Sequence, residues 1–194
     1  MTKHKIAVIV GSNRQGSLNA RLAQALAVLG ADRLSFNVVR IDDLPLYNPD
    51  LETELPASVL RFKSELAAAD GVLVVTPEHN RSIPAVLKNA IDWGGRPYGQ
   101  NSWAGKVAAI AGTSPGAIGA GMAQQHLRQI LGSFLGVLVM GGEAYIAFRP
   151  GLVDDTGKVS DESTRNFLKG FVDQFASLLG RLSGTPERLS EAAA

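Results

Sequence analysis

The sequence predicts an α/β protein built on a parallel β-sheet with helices on both faces. Five short apolar runs alternate with segments of helical periodicity, and these runs lack the in-out alternation of a half-exposed strand. Special turns follow the first, third and fourth runs, rich in glycine after the first and fourth and bracketed by two prolines after the third. In sheets of this kind ligands lie beyond the carboxyl ends of the strands, where the strand order switches direction. The sequence therefore places a site at those three turns.

Taken in order, Ile6-Ala7-Val8-Ile9-Val10 is the first strand, and Leu18, Leu22, Ala25, Leu26 and Leu29 mark the inner face of the first helix. Phe36 to Ile41 reads as the second strand, followed by the turn-rich stretch Asp42 to Pro49. Helical periodicity returns between Pro56 and Ala69 through Val59, Leu60, Phe62 and Leu66. Gly71 to Thr76 is the third strand, and Pro84 suits the first turn of a helix carrying Val86, Leu87, Ala90, Ile91 and Trp93. Val107 to Ala111 is the fourth strand, Met122 to Leu131 a helix, and Val137 to Met140 the fifth strand. An extended segment from Ala144 to Arg149 and a long helix from Asp161 to Leu182 complete the chain. With no linker or internal repeat, residues 1–185 read as a single domain and 186–194 as a frayed tail.

The turn Gly11-Ser12-Asn13-Arg14-Gln15-Gly16-Ser17 joins the first strand directly to the first helix. A helix start carries unpaired N–H groups and the positive end of the helix dipole. Two glycines allow a tight fold, two serines add hydroxyls and Arg14 adds charge, which together suit a phosphate. Ser17 stands where a nucleoside-triphosphate loop needs lysine, and Asn13 where a dinucleotide loop needs its second glycine. A terminal monophosphate remains, with an ordinary turn capped by Ser17 as the alternative.

The second turn, Thr76 to Pro84, is stiffened by two prolines and offers N–H groups, an amide and an imidazole to a planar heterocycle. Its alternative is a plain helix entry capped by Ser82. In the third turn Gly112, Gly116, Gly119 and Gly121 bare the backbone for a flat ring, or else form a flexible loop. Jointly the three turns describe a planar cofactor with a monophosphate tail. Flavin mononucleotide (FMN) fits better than a free nucleotide, which stays open.

Composition narrows the rest. The 194 residues are 45% apolar with a net charge of +1 and no dense basic tract, so neither nucleic acid nor a membrane surface is expected as partner. The absence of cysteine excludes disulfides, thiolate metal sites and cysteine nucleophiles, and the three histidines show no metal-ligand spacing. The first apolar run is too short for a leader, so the expected location is the cytoplasm. Asp42 and Asp43 sit where dinucleotide folds keep a ribose-binding acid, but without the glycine fingerprint they read as a solvated turn.

Three motifs in order are similar to those of the NAD(P)H-dependent FMN reductase family, whose soluble quinone, azo-dye, ferric and chromate reductases they most resemble. They are Gly11-Ser12-x-Arg14-x-x-Ser17-x-Asn19; Pro77-Glu78-His79-Asn80 running through Ser82-Ile83-Pro84 to Asp92-Trp93; and Ser114-x-Gly116-x-x-Gly119 leading to Gln124 and Arg128. The resemblance spans about residues 4 to 145. It implies a flavodoxin-like three-layer sandwich with a five-stranded parallel sheet of order 2-1-3-4-5, non-covalent FMN, and a homodimer or homotetramer. It further implies NADPH or NADH as reductant, hydride passage to flavin N5, and two-electron delivery to a quinone, azo compound, free flavin or metal complex in a ping-pong cycle. A flavodoxin-like electron carrier is the alternative.

Carried over by position, Ser12, Arg14, Ser17, Leu18 and Asn19 hold the phosphate. Pro77, Glu78, His79, Asn80, Ser114 and Gly116 border the ring system, and Gly119 shapes its turn. His79 replaces the family's usual tyrosine and is expected to contribute its backbone, with proton delivery to the acceptor as a second role. The loop Gly94 to Trp103 mixes Arg96 with Tyr98 and is expected to roof the site or to join subunits. Arg96 there offers a planar fork to the extra phosphate of NADPH. Arg128 and Glu143 are expected as an ion pair near an interface.

Overall fold

The structure, a computed structural model, describes residues 3–183. The expected tail at 186–194 lies outside them. Strand β1 (His4–Val10) leads to α1 (Leu18–Gly30), β2 (Leu34–Val38), α2 (Ala57–Ala67) and β3 (Gly71–Thr76). Then come α3 (Ala85–Gly94), β4 (Val107–Ser114), α4 (Gly121–Gly132), β5 (Leu138–Val139), β6 (Ala144–Ala147) and α5 (Glu162–Ser183).

All pairings are parallel, in the order β2-β1-β3-β4-β5, with β6 also on β4. The chain builds leftward from β1 to β2, then returns to the other side of β1 for β3. That places the switch point between β1 and β3. Because strand side chains alternate between faces, Val8, Leu73 and Ala109 meet α1 and α5 through Leu22, Leu26, Phe171 and Phe175. Ile9, Val74 and Ile110 meet the opposite layer through Phe62, Leu87, Trp93 and Leu127.

Two details depart from the sequence reading. The extended segment expected from Ala144 to Arg149 joins the sheet as a sixth strand, β6, on β4 beyond β5. β5 pairs with the start of β4 at Val107 and Ala108, and β6 with its end at Ala111 to Ser114. The gap between β5 and β6 is filled by Arg128, whose guanidinium donates to the carbonyls of Met140 and Gly142 at 2.6 Å each. Arg128 therefore serves backbone carbonyls that the broken ladder leaves unpaired, not an ion pair with Glu143. Glu143 accepts instead from Gln125 at 2.7 Å. Asp42 and Asp43 pair with Arg40 and Arg61, as a solvated turn would.

Several surface carboxylates titrate below their usual range. Hydrogen bonds from Arg40 lower Asp42, those from Thr156 and the Lys158 amide lower Asp154, and those from Thr164 lower Asp161. A carboxylate depressed in the folded state adds stability above its unfolded pKa, about 3.9 for Asp, and loses it as pH falls through the folded value. Thermal melts should thus be flat above about pH 5 and fall in midpoint below about pH 4. Asp154→Ala should reduce that slope; an unchanged acid limb would show that these caps do not set it.

Candidate functional site

The turn after β1 and the start of α1 form the floor of the site. Gly16 adopts a φ of +68°, open to glycine at no steric cost, and brings the chain round to Ser17. Ser17 caps α1, its hydroxyl accepting from the Ala20 amide at 3.3 Å and its carbonyl from Arg21. The N–H groups of Leu18 and Asn19 are left without intrahelical acceptors, as at any helix start. No acidic residue occupies the first turn of α1, and the neighbouring Asp42 and Asp43 are engaged by Arg40 and Arg61. Arg14 is therefore a cation beside a helix N-terminus with its usual partners elsewhere.

A cavity of about 510 Å³ opens above this turn. Ser12, Arg14, Ser17, Leu18 and Asn19 line it from the first turn, and Pro77, Glu78 and His79 from the second. Ser114 lines it from the third. Asn80, Gly116 and Gly119, expected near the ring, stand outside the lining and act on loop shape. Asn80 (φ +50°) and Arg81 (φ +65°) are the two central residues of a tight turn in which His79 and Ser82 exchange backbone hydrogen bonds of 2.9 Å. Gly119 has φ +58°, and a Cβ there would stand 2.5 Å from the Ile146 nitrogen.

The side chains of Asn19 and Glu78 are committed to structure. The buried Asn19 amide makes both bonds to the Thr113 backbone, at 3.1 and 3.0 Å, clamping the first turn to the third. The Glu78 carboxylate accepts from Arg81 at 2.8 Å and from the Met122 amide at 3.0 Å, clamping the second turn to α4. What Glu78 and Asn19 offer a ligand is thus backbone and position. Sequence reasoning missed Pro84, Ala85 and Val86, which form one wall. They directly follow the polar loop, a signal that a helix start so placed faces the same space.

Arg96 and Tyr98 lie elsewhere. Their loop precedes β4, whereas the cavity lies beyond its last residues, and eight residues of strand span about 26 Å. The loop is held at that far edge by Lys63, which donates to the carbonyls of Arg96 at 2.6 Å and Gln100 at 2.7 Å. Burial pulls the pKa of Lys63 below that of an ordinary lysine. Within one protomer this loop cannot roof the cavity.

A cationic, acid-free cradle at the switch point, opening onto a slot between the second and third turns, fits a flavin mononucleotide. The phosphate suits Arg14, Ser12, Ser17 and the first amides of α1, and the slot between His79 and Ser114 suits a flat ring. These features define a flavin-dependent α/β oxidoreductase. Comparison with known proteins makes the family specific: the NADPH-dependent FMN reductase model matches residues 4–150, and the chain belongs to that family.

The chain is 51% identical over 176 residues to a quinone reductase of Pseudomonas putida, covering 90% of this chain and 94% of that protein. It is 48% identical over 173 residues to a 2-hydroxy-1,4-benzoquinone reductase of a Burkholderia species, covering 89% and 94%. Among solved structures, the flavoenzyme NAD(P)H:(acceptor) oxidoreductase FerB of Paracoccus denitrificans superposes with a TM-score of 0.88. Sequence identity to it is 49%, and the match covers 92% of this chain and 98% of that one. A flavodoxin of Pseudomonas aeruginosa, 20% identical with a TM-score of 0.55, shares the fold.

Proposed function

We propose that this protein reduces quinones and related small acceptors with NADH or NADPH, through FMN held between the first, second and third turns. The observation that carries the reading is the acid-free phosphate cradle opening onto a slot of flavin size at the switch point. When bound there, FMN supplies a centre that takes hydride from nicotinamide and returns two electrons to an acceptor. The chain's own task is to bind and orient. Arg14, Ser12 and Ser17 fix the phosphate, the tight turn at Asn80 and Arg81 holds Pro77 to His79 against the ring edge, and Ser114 closes the other side.

A net charge of +1 gives little electrostatic steering toward a protein partner, which supports a reductase over an electron carrier. No helix among the described residues is long and apolar enough to cross a membrane. The reductant is a cytoplasmic metabolite, and we place the protein there.

The anaerobic test is direct. Addition of NADPH to the yellow protein should bleach it within the time of one turnover, and a quinone should restore the colour. Slow bleaching by NADPH, with fast reduction by a protein donor, favours the carrier. His79 lines the slot with an exposed ring, and His79→Phe divides its two roles. Equal quinone turnover from about pH 6 to about pH 8 leaves only the backbone one.

We place Arg96 and Tyr98 at the site of a second copy in a homodimer or homotetramer, since their own cavity is out of reach. Arg96→Ala and Arg14→Ala proteins should each be weakly active alone. Mixed and reassociated, they should regain turnover, because one protomer then has FMN and its partner has the arginine. Mixing without gain removes the shared site.

A further inference from the structure

A second cavity is larger than the flavin slot. About 590 Å³ in volume, it lies between the end of β6, the segment that follows, and the first two turns of α5. Arg149, Asp161, Tyr145 and Phe167 are among its walls. It adjoins the flavin slot, because Ser114 of the slot and Ala147 of this cavity are rung partners, and the Phe148 amide donates to the Ser114 carbonyl at 2.8 Å. Neighbouring strands are about 4.8 Å apart, so these two wall residues stand one strand width from each other.

The chemistry of its walls is specific. Arg149 is exposed, and Asp161 is near enough to feel its charge but makes no ion pair with it among the described residues. Its planar fork remains available to an anion. Asp161 accepts from the Thr164 amide at 2.7 Å and from the Thr164 side chain, capping α5, and a carboxylate keeps lone pairs for a further hydroxyl donor. Phe167 is 49% exposed, a large ring left in water beside the cation and the carboxylate.

Resting on the proposed reductase activity, we propose that this cavity seats the adenosine diphosphate end of the nicotinamide reductant. A dinucleotide whose nicotinamide lies over the flavin slot is much longer than the slot, and its far half must lie on neighbouring surface. That half carries phosphates, a sugar diol and a purine. Arg149 meets the phosphates, Asp161 accepts from the sugar hydroxyls as acids do in dinucleotide folds, and Phe167 faces the purine. A quinone has none of these groups. The cavity thus selects the reductant without touching the acceptor, which lets both use the slot in turn.

The test uses the full-length, FMN-loaded protein and ADP-ribose, which has the far half of the reductant without nicotinamide. Calorimetry should show binding to the parent, weakened by about tenfold or more in Arg149→Gln and in Phe167→Ala. The KM for NADH should rise by the same factor in both variants. The KM for reduced nicotinamide mononucleotide and for quinone, and kcat at saturation, should not move. Equal ADP-ribose affinity in parent and both variants overturns the assignment, as does a parent that uses the mononucleotide as readily as NADH. If NADH fails to bleach the loaded protein at all, the reductase reading falls and this assignment with it. Normal bleaching with unchanged ADP-ribose binding removes this assignment alone.

Discussion

Replacing Arg14 and Ser17 together by alanine should give a folded but colourless protein. Arg14 offers a charge-assisted contact to phosphate, and such bonds contribute about 1.5–3 kcal/mol each. Ser17 adds a neutral hydroxyl of about 1 kcal/mol. The sum, about 2.5–4 kcal/mol, corresponds to an FMN affinity weakened roughly 60- to 700-fold, since about 1.4 kcal/mol is tenfold. Stability should fall far less. Arg14 makes no ion pair among the described residues, and loss of the Ser17 cap costs about 1 kcal/mol. Fluorescence titration of FMN against the apoprotein measures the first quantity, and urea unfolding of the apoprotein the second. A double variant purified yellow, with an unchanged dissociation constant, would remove the phosphate from this turn.

Gly119→Ala should be strongly destabilising, for two independent reasons. At φ +58° an alanine already pays about 1–2 kcal/mol in the left-handed region. Its Cβ would also stand 2.5 Å from the Ile146 nitrogen and 2.6 Å from the Tyr145 carbonyl carbon, both backbone atoms of β6. Neither can swing aside as a side chain does, so the third turn must lift off β6. We expect a total loss of about 3–5 kcal/mol, a large part of a stability typically near 5–15 kcal/mol. Gly116→Ala is the control, because its Cβ would meet only the Ser114 hydroxyl at 3.5 Å. Urea midpoints of the two variants, compared with the parent, decide the matter; equal midpoints would mean that β6 yields more easily than a paired strand should.

Much of the fold was legible because buried parallel strands are written as unbroken apolar runs. Gly71 to Thr76 is buried at every position and was bounded correctly. The second strand was read too late because Val39, Arg40 and Ile41 look like strand. Pairing in β2 runs from Leu34 to Val38, after which one further amide bond, Val39 to Val8, ends the ladder. That β5 and β6 share the β4 edge was not legible. It depends on a guanidinium from α4 arriving at two carbonyls, a contact between residues 12 and 14 positions apart.

The site divides in the same way. The turn from Gly11 to Ser17 could be read as a cavity wall because a helix start presents its free amides through local backbone, whatever surrounds it. Asn19 and Glu78 belong to the same motifs, yet their side chains face protein partners 94 and 44 residues away. A motif marks such residues as belonging together without saying which atom meets the ligand.

The sequence by itself determined the class of sheet and the three turns that line the cavity. Each follows from periodicity or from the backbone chemistry of a helix end, and these are local. Only the tertiary structure decided that Arg96 and Tyr98 lie a full strand length from their own slot. It alone showed that Arg128 mends a broken edge and that a second cavity adjoins the first. These are matters of strand direction and register, set by pairing between distant segments, so no window of sequence contains them.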